Sequence, residues 1–307
     1  MPVRNASPWL SECVESIINQ EFTNWELIAV DDHSSDDSWL ILEKYVARDQ
    51  RVRALKNSDK GILPALQLAL NNSNGNLITR MDADDLMPSD KLKLFVHESS
   101  VHPGSIITGR VKYFSDEKIS NGYLEYEDWL NHRVELSDHW QWVYRECVIA
   151  SANWMAPKES INFTNDQYPE DYDLVFHWYK NGLKVSAINK VTHLWRDHSR
   201  RTSKHSSHYN QNAFFNLKLK RFTSLDYTKN RPLAVMGENK KTKIINNWLS
   251  VNKITFTHVT LDHLYKIAEL ENPLVIVGVF PAPELREGIS DFLGGFGLEM
   301  GRDWWWF

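Results

Sequence analysis

The sequence is poor in cysteine, has no long apolar run and carries no excess of positive charge. Its two cysteines, Cys13 and Cys147, stand far apart in no metal-ligand spacing, which excludes a disulfide scaffold and favours a reduced, cytoplasmic setting. There is no run of about eighteen apolar residues and no signal-peptide pattern, so the sequence predicts a protein at most peripheral to a membrane. A net charge of −5 gives no general electrostatic case for nucleic acid as a partner.

Length and composition are those of a globular protein with more than one domain. Hydrophobic residues make up 42% of the chain and charged residues 24%, which is enough apolar surface to bury a sizeable core. Because 307 residues exceed an average domain, one large and one small domain are expected.

Short apolar runs alternate with segments of helical periodicity along the chain. Predicted strands cover residues 25–30, 52–55, 77–79, 105–113, 148–155, 184–188 and 191–195, and predicted helices cover residues 9–19, 38–47, 61–70, 91–97, 123–133, 170–180 and 205–222. Residues 2–6 are predicted to form a loop. The alternation indicates an α/β fold with a mostly parallel sheet flanked by helices.

A domain boundary is predicted near residues 226–231, which separates a domain over residues 1–225 from a small α/β domain over residues 231–307. The small domain has predicted strands at residues 233–236, 254–259 and 274–279 and predicted helices at residues 240–249, 262–270 and 283–292. Its turn at residues 235–239 lacks the further glycines that let a backbone approach a phosphate closely. An accessory or docking role is therefore predicted for this domain, with ligand binding as the alternative.

Asp82, Asp84 and Asp85 directly follow the predicted strand at residues 77–79. Like charges this close repel each other unless a cation or strong donors neutralise them, and hard oxygen ligands suit Mg²⁺ or Mn²⁺. The alternative is that these acids favour the N-terminus of the following helix. Asp32 likewise follows the strand at residues 25–30, and ligands of such sheets bind beyond the carboxyl ends of the strands. One crevice lined by both acidic segments is therefore predicted.

An ordered series of short motifs resembles that of family-2 glycosyltransferases. The series is Pro2-Val3-Arg4-Asn5-Ala6, Val30-Asp31-Asp32-His33-Ser34-Ser35-Asp36, Lys60-Gly61, Arg80-Met81-Asp82-Ala83-Asp84-Asp85, Pro169-Glu170-Asp171-Tyr172-Asp173-Leu174 and Trp195-Arg196-Asp197-His198. The resemblance implies a GT-A (Rossmann-like) fold and an inverting, metal-dependent enzyme that uses a nucleotide-diphosphate sugar, with UDP as the favoured nucleotide. It also implies the setting of bacterial surface-polysaccharide synthesis, a glycan or lipid-linked acceptor, and at most a peripheral place at the inner face of the plasma membrane.

The resemblance implies that Asp82 and Asp84, with Asp85 beside them, bind Mn²⁺ or Mg²⁺ against the donor diphosphate. Asp32 would accept a hydrogen bond from the nucleotide base, most often uracil, and the same pocket would be lined by Pro2, Val3 and Arg4. The alternative for Asp32 is an N-cap of the next helix.

The resemblance further implies that Asp171 is the general base that takes the proton of the acceptor hydroxyl, while Glu170 supports the acceptor site. Arg196 and His198 would approach the diphosphate or the acceptor. The alternatives are that Glu170 and Asp171 are ordinary first-turn acids of a helix and that His198 is structural. The remaining histidines, His193 among them, are interpreted as surface or packing residues.

The sequence departs from the family pattern before Pro2 and after Gly61. The family's apolar first strand is not seen before Pro2, so we expect either a late start of the reading frame or a sheet without one central strand. Leu66 and Gln67 stand where many relatives carry an Arg-Asn pair. Two rival functions stay open: a sugar-phosphate nucleotidyltransferase, although a glycine-rich basic loop is lacking, and a degenerate, non-catalytic binding protein.

Overall fold

The computed structural model describes residues 1–163 and 167–307, and these form two compact units. The first unit comprises Met1–Ser137 and Ile149–Lys204, and the second comprises Asp138–Val148 and His205–Phe307. Among the described residues, no helix is both long and apolar enough to cross a membrane.

The first unit begins with a parallel sheet in the order β1-β2-β3. Its strands are β1 Pro2–Val3, β2 Leu27–Asp31 and β3 Val52–Lys56, and its helices are α1 Leu10–Ile18, α2 Ser38–Arg48 and α3 Ile62–Asn72. Every residue of β2 is buried, as expected for a parallel strand covered on both faces. The loop predicted for residues 2–6 is wrong at Pro2 and Val3, which pair with Val30 and Asp31. A two-residue strand is too short to show any periodicity in sequence.

The rest of the first unit is built on a mixed sheet in the order β4-β6-β5-β7. Its strands are β4 Leu77–Thr79, β5 Ile106–Phe114, β6 Trp154–Pro157 and β7 Val185–Arg196, and its helices are α4 Lys91–Val101, α5 Asn121–Leu136 and α6 Glu170–Lys180. The short helix α7 Thr202–His205 spans the chain boundary between the units. Strand β6 runs antiparallel to β4 and β5, whereas β5 and β7 are parallel. The two strands predicted at residues 184–195 are one bulged strand, since the register with β5 shifts on both sides of Arg110. The strand predicted from residue 148 begins only at Trp154.

A cavity of about 640 Å³ lies in the first unit against both of its sheets. Its lining is largely apolar and includes Ile28 of β2, Leu66 of α3 and Leu77 of β4. Because such a lining offers few groups to a charged ligand, the polar side chains beyond the strand ends define the candidate site instead.

The second unit contains a four-stranded sheet in which every neighbouring pair is parallel, in the order β11-β10-β8-β9. Its strands are β8 Leu233–Met236, β9 Thr257–Val259, β10 Leu274–Val277 and β11 Trp304–Trp306, and its helices are α8 Gln211–Leu225, α9 Lys240–Val251, α10 Tyr265–Ala268 and α11 Pro283–Gly295. The predicted count of three strands is therefore wrong by one. Strand β11 was missed because three consecutive tryptophans show no alternation, although all of them are buried against β10. With both units, the predicted α/β fold with mostly parallel strands is confirmed.

Candidate active site

Asp32 stands just beyond the carboxyl end of β2 and fixes the segment that leads into α3. Its Oδ1 accepts hydrogen bonds from the Gly61 backbone N–H at 2.9 Å and from Nδ2 of Asn57 at 2.8 Å. Gly61 has a φ of +113°, a backbone region that side-chain-bearing residues rarely adopt. The N-cap of α2 is Asp37, so the alternative that Asp32 caps this helix is wrong.

Arg4 and Val3, two of the three residues predicted to line the nucleotide pocket, lie near Asp32, and their side chains differ in exposure. Nη1 of Arg4 lies 3.9 Å from Oδ2 of Asp32, and the Arg4 side chain is 53% exposed, so it is open to a ligand. The Val3 side chain is packed in the core and offers only its backbone. Pro2 is partly exposed.

Asp82 and Asp84 follow β4 with side chains that are partly open to solvent. Their side-chain exposures are 22% and 26%. Oδ1 of Asp82 accepts from Nε of Arg80 at 2.8 Å, and Oδ2 of Asp84 lies 2.8 Å from Nε2 of His198. Helix α4 begins only at Lys91, so these aspartates do not cap it. The structure therefore contradicts the helix-capping alternative for this segment.

Asp85 is enclosed by protein, unlike Asp82 and Asp84. Its side chain is 1% exposed, its Oδ1 accepts from the Arg196 backbone N–H at 2.8 Å, and its Oδ2 lies 3.0 Å from Nε2 of His193. Burial raises the pKa of Asp85 and lowers the pKa of His193, so both groups favour their neutral forms. These surroundings do not fit the predicted role of a metal ligand, because the Asp85 carboxylate is closed off from solvent, whereas those of Asp82 and Asp84 are partly open. Asp85 instead anchors β7 beneath the aspartate segment.

The end of β7 and the residues after it hold Asp84 in place. Nε of Arg196 donates to the Asp84 carbonyl at 2.7 Å, and its Nη2 lies 2.5 Å from Oε2 of Glu12. The His198 ring stacks on Trp9 with the ring centroids 3.7 Å apart. The structure thus brings both predicted residues, Arg196 and His198, to the metal-binding candidate Asp84.

The first turn of α6 reaches the same segment through Arg80. Nη1 of Arg80 donates to Oε1 of Glu170 at 2.9 Å, and the two side chains are 6% and 1% exposed. Burial, and then the neighbouring Glu170 carboxylate, raise the pKa of Asp171 to about 7, against the opposing effect of Arg80. A carboxylate with such a pKa can exchange protons near neutral pH.

The carboxylates of Asp82 and Asp84 fit a divalent cation that is also held by the phosphates of a bound substrate. In the described part of the chain, no group of three or more His, Cys, Asp or Glu side chains forms a complete protein cage. Asp82 and Asp84 provide hard carboxylate oxygens that are partly exposed. Mg²⁺ and similar ions are commonly held by one or two carboxylates together with substrate phosphates and water. The donor set fits that arrangement.

Several residues of the site carried no assigned role in the sequence. Arg80 stood within a recognised motif, whereas His193 was interpreted only as a surface or packing residue. Ser151, whose Oγ lies 3.3 Å from Oδ2 of Asp82, gave no signal because it is 69 positions away. Arg80 could have been recognised as a site residue from the sequence, because it directly follows a predicted strand and stands beside clustered acids.

The sequence profile of glycosyl transferase family 2 matches residues 1–160. The chain is 25% identical over 211 residues to glycosyltransferase GlyG of Streptococcus pneumoniae serotype 4. This alignment covers 65% of this chain and 70% of GlyG. It also matches glycosyltransferase GlyA of the same organism, of which it spans only 17%. The profile covers more than half of the chain, so the chain belongs to glycosyl transferase family 2.

Solved structures of glycosyltransferases share the fold. Staphylococcus aureus TarS 1-349 in complex with UDP-GlcNAc aligns with a TM-score of 0.56 at 14% identity, over 96% of this chain and 78% of that one. Mannosyltransferase PcManGT from Pyrobaculum calidifontis, in complex with GDP-Man and Mn²⁺, aligns with a TM-score of 0.54 at 15% identity, over 73% of this chain and 61% of that one. The fold is thus the GT-A fold of these enzymes.

Proposed function

We propose that this protein is a metal-dependent, inverting glycosyltransferase that moves a sugar from a nucleotide-diphosphate donor, most simply a UDP-sugar, to an acceptor hydroxyl. The observation that carries the proposal is the Arg80 bridge, which links Asp82 beyond β4 to Glu170 beside Asp171. The bridge connects the segment of Asp82 and Asp84, whose partly exposed carboxylates suit a cation, to the segment of Asp171, whose carboxylate suits a general base. Membership of glycosyl transferase family 2 supports the same reaction class.

The donor would lie between the Asp32 and the Asp82–Asp84 groups. Asp32 would receive the nucleotide base, with Arg4 beside it, and the UDP-GlcNAc complex of TarS supports a uridine donor. Asp82 and Asp84 would hold Mn²⁺ or Mg²⁺, and the PcManGT complex with Mn²⁺ supports a divalent ion. When bound, such an ion neutralises charge on a diphosphate leaving group. His198 and Arg196, which contact Asp84, would keep it oriented toward that ion.

Asp171 would act as the only base of a single displacement. The acceptor oxygen forms a bond to the anomeric carbon while the bond from that carbon to the diphosphate oxygen breaks. The hydroxyl proton passes to Asp171, and the nucleoside diphosphate leaves with the electron pair. One displacement inverts the anomeric configuration and needs one base, whose raised pKa suits neutral conditions. Glu170 is held by Arg80 and would position this base and the acceptor.

The acceptor is proposed to be a glycan or a lipid-linked glycan of bacterial surface-polysaccharide synthesis. The support is similarity to the bacterial glycosyltransferase GlyG. A cytoplasmic location, at most peripheral to the membrane, remains a prediction from the sequence.

The experiment that tests the function is a panel of nucleotide sugars with Mn²⁺, in which release of nucleoside diphosphate and inversion at the anomeric carbon are measured by NMR. We expect release from one donor class, with UDP-sugars preferred. Formation of pyrophosphate from a nucleoside triphosphate and a sugar phosphate would instead establish a nucleotidyltransferase. If no nucleotide raises the melting temperature in the presence of Mn²⁺, the protein is not a sugar-nucleotide enzyme.

A further inference from the structure

The sheet of the second unit reverses its strand order between β8 and β10. From β8 the chain continues to β9 on one side and then returns to β10 on the other side of β8. In open parallel sheets, ligands bind beyond the carboxyl ends of the strands at this switch point. Nothing in the proposed transfer reaction uses this place.

Glycines and a helix N-terminus meet at the switch point. Gly237 follows β8 and Gly278 follows β10, and the Thr242 hydroxyl near the start of α9 donates to the Gly278 carbonyl at 3.3 Å. Gly237 has a φ of +125°, and a Cβ there would stand 2.4 Å from Cγ1 of Val279. The chain is therefore built to bring the first turn of α9 close to both strand ends. The first turn of a helix has backbone N–H groups without helical acceptors and favours anions. In α9 the Asn239 side chain already accepts from the Thr242 N–H at 3.0 Å.

Two arginines flank one aromatic ring after β10. Cζ of Arg145 lies 4.2 Å and Cζ of Arg286 lies 4.3 Å from the centroid of Phe280. Nε of each arginine is buried and has no hydrogen-bond partner in the described chain. A buried guanidinium N–H without an acceptor is costly unless a ligand supplies one. These two unsatisfied Nε–H groups are an independent sign of an anionic ligand, while Nη1 of Arg145 is paired with Glu146.

Two lysines lie beside Arg145, and burial lowers the pKa of Lys218 to about 7. Lys218 is buried and its Nζ lies 3.3 Å from the Arg145 carbonyl. The pKa of Lys241, in the first turn of α9, is lowered by burial and then by the charge of Arg145. Glu146 is bonded to Nη1 of Arg145 at 2.6 Å, and the exposed Glu238 lies in the turn before α9. The charged groups that interact with Arg145 therefore include two lysines and one glutamate.

We propose that the second unit binds the phosphate group of a soluble small molecule at this switch point, through Arg145, Arg286, Lys241 and the first turn of α9. Arginine is well matched to phosphate because its planar donors meet the phosphate oxygens in pairs. The sequence offered only the single-glycine turn at residues 235–239, which by itself favours no ligand.

The test is calorimetric titration of the full chain with inorganic pyrophosphate in EDTA, so that no divalent ion serves the first unit. We expect saturable binding that Arg286→Gln and Lys241→Gln each weaken about tenfold, equivalent to about 1.4 kcal/mol. Lys229→Gln, an exposed site in the same unit with the same change of charge, should leave the affinity unchanged.

Melting temperatures measured without ligand show whether the variants fold. If Arg286→Gln does not fold, Lys241→Gln still tests the proposal. No saturable binding by the wild type, or equal binding by all the variants, would overturn the proposal. So would binding to phosphatidylglycerol vesicles without binding of pyrophosphate, because the ligand would then be a membrane surface.

Discussion

Arg80 and Glu170, 90 positions apart, form a buried ion pair in which Nη1 lies 2.9 Å from Oε1. The same guanidinium donates through Nε to Asp82 at 2.8 Å. One planar side chain therefore joins the segment beyond β4 to the first turn of α6. The separation between the proposed metal ligands and the proposed base is set by this bridge.

Arg80→Lys tests the bridge while it keeps the charge. A single ammonium cannot reproduce the two directed contacts of the guanidinium, so one carboxylate is left poorly paired inside the protein. We expect the free energy of unfolding to fall by about 1–3 kcal/mol and kcat to fall more steeply than substrate affinity. Urea denaturation and steady-state kinetics measure the two effects.

Arg48→Lys is the matched control for that substitution. Arg48 pairs with Glu15, and its side chain is 59% exposed. Exposed pairs contribute little to stability, so we expect no measurable change in the free energy of unfolding. Equal losses in the two variants would show that the Arg80 bridge has no special importance.

The pH dependence of transfer should follow Asp171. Its pKa is raised to about 7, and a general base works only when deprotonated, so kcat should rise with pH through about 7 and then level off. Glu170→Gln removes a negative charge that raises this pKa, which should move the rising limb to lower pH. Rates between about pH 5.5 and 9 measure the limb. An unmoved or upward-shifted limb would remove Asp171 as the titrating base.

Asp171→Asn and Asp84→Asn should separate proton transfer from donor binding. Loss of a general base costs about 10²- to 10⁴-fold in rate, so Asp171→Asn should lower kcat by that factor and retain stabilisation by UDP with Mn²⁺. Asp84→Asn should abolish most of that metal-dependent stabilisation. Thermal shifts with and without EDTA, beside kcat, separate the two. Full turnover by Asp171→Asn would exclude the base assignment.

Sequence reasoning located what lies close along the chain and missed what folding brings together. Asp32 and Asp84 were predicted at strand ends because an apolar run followed by acids is visible locally. The partners that define their environments come from afar: Gly61 for Asp32 and His198 for Asp84. The enclosure of Asp85 depends on β7, whose bulge is invisible in sequence because it reflects pairing with β5. Local pattern thus predicted the elements and candidates, whereas burial and charge pairing needed the tertiary structure.

Asp85 provides a test that is independent of catalysis. Asp85→Ala leaves the Arg196 backbone N–H and the His193 ring without their partner in a buried place, which should cost about 2–4 kcal/mol of unfolding free energy. Asp85→Asn keeps an acceptor for that N–H and supplies an NH₂ group to His193, as a protonated carboxyl would. Its stability should stay near that of the wild type at low pH, where the Asp85 carboxyl is protonated in both states.

The pH dependence of these stabilities identifies the protonation state of Asp85. Burial raises its folded pKa above the unfolded value of about 3.9, so the folded state holds a proton that the unfolded state releases. Wild-type stability from this group is complete below about pH 3.9 and decreases as pH rises toward the raised pKa, whereas Asn does not titrate. The advantage of Asp85→Asn over the wild type should therefore grow with pH across that window. Urea titrations in EDTA at a series of pH values measure it, and an advantage that shrinks with pH would mean that Asp85 is ionised in the folded protein.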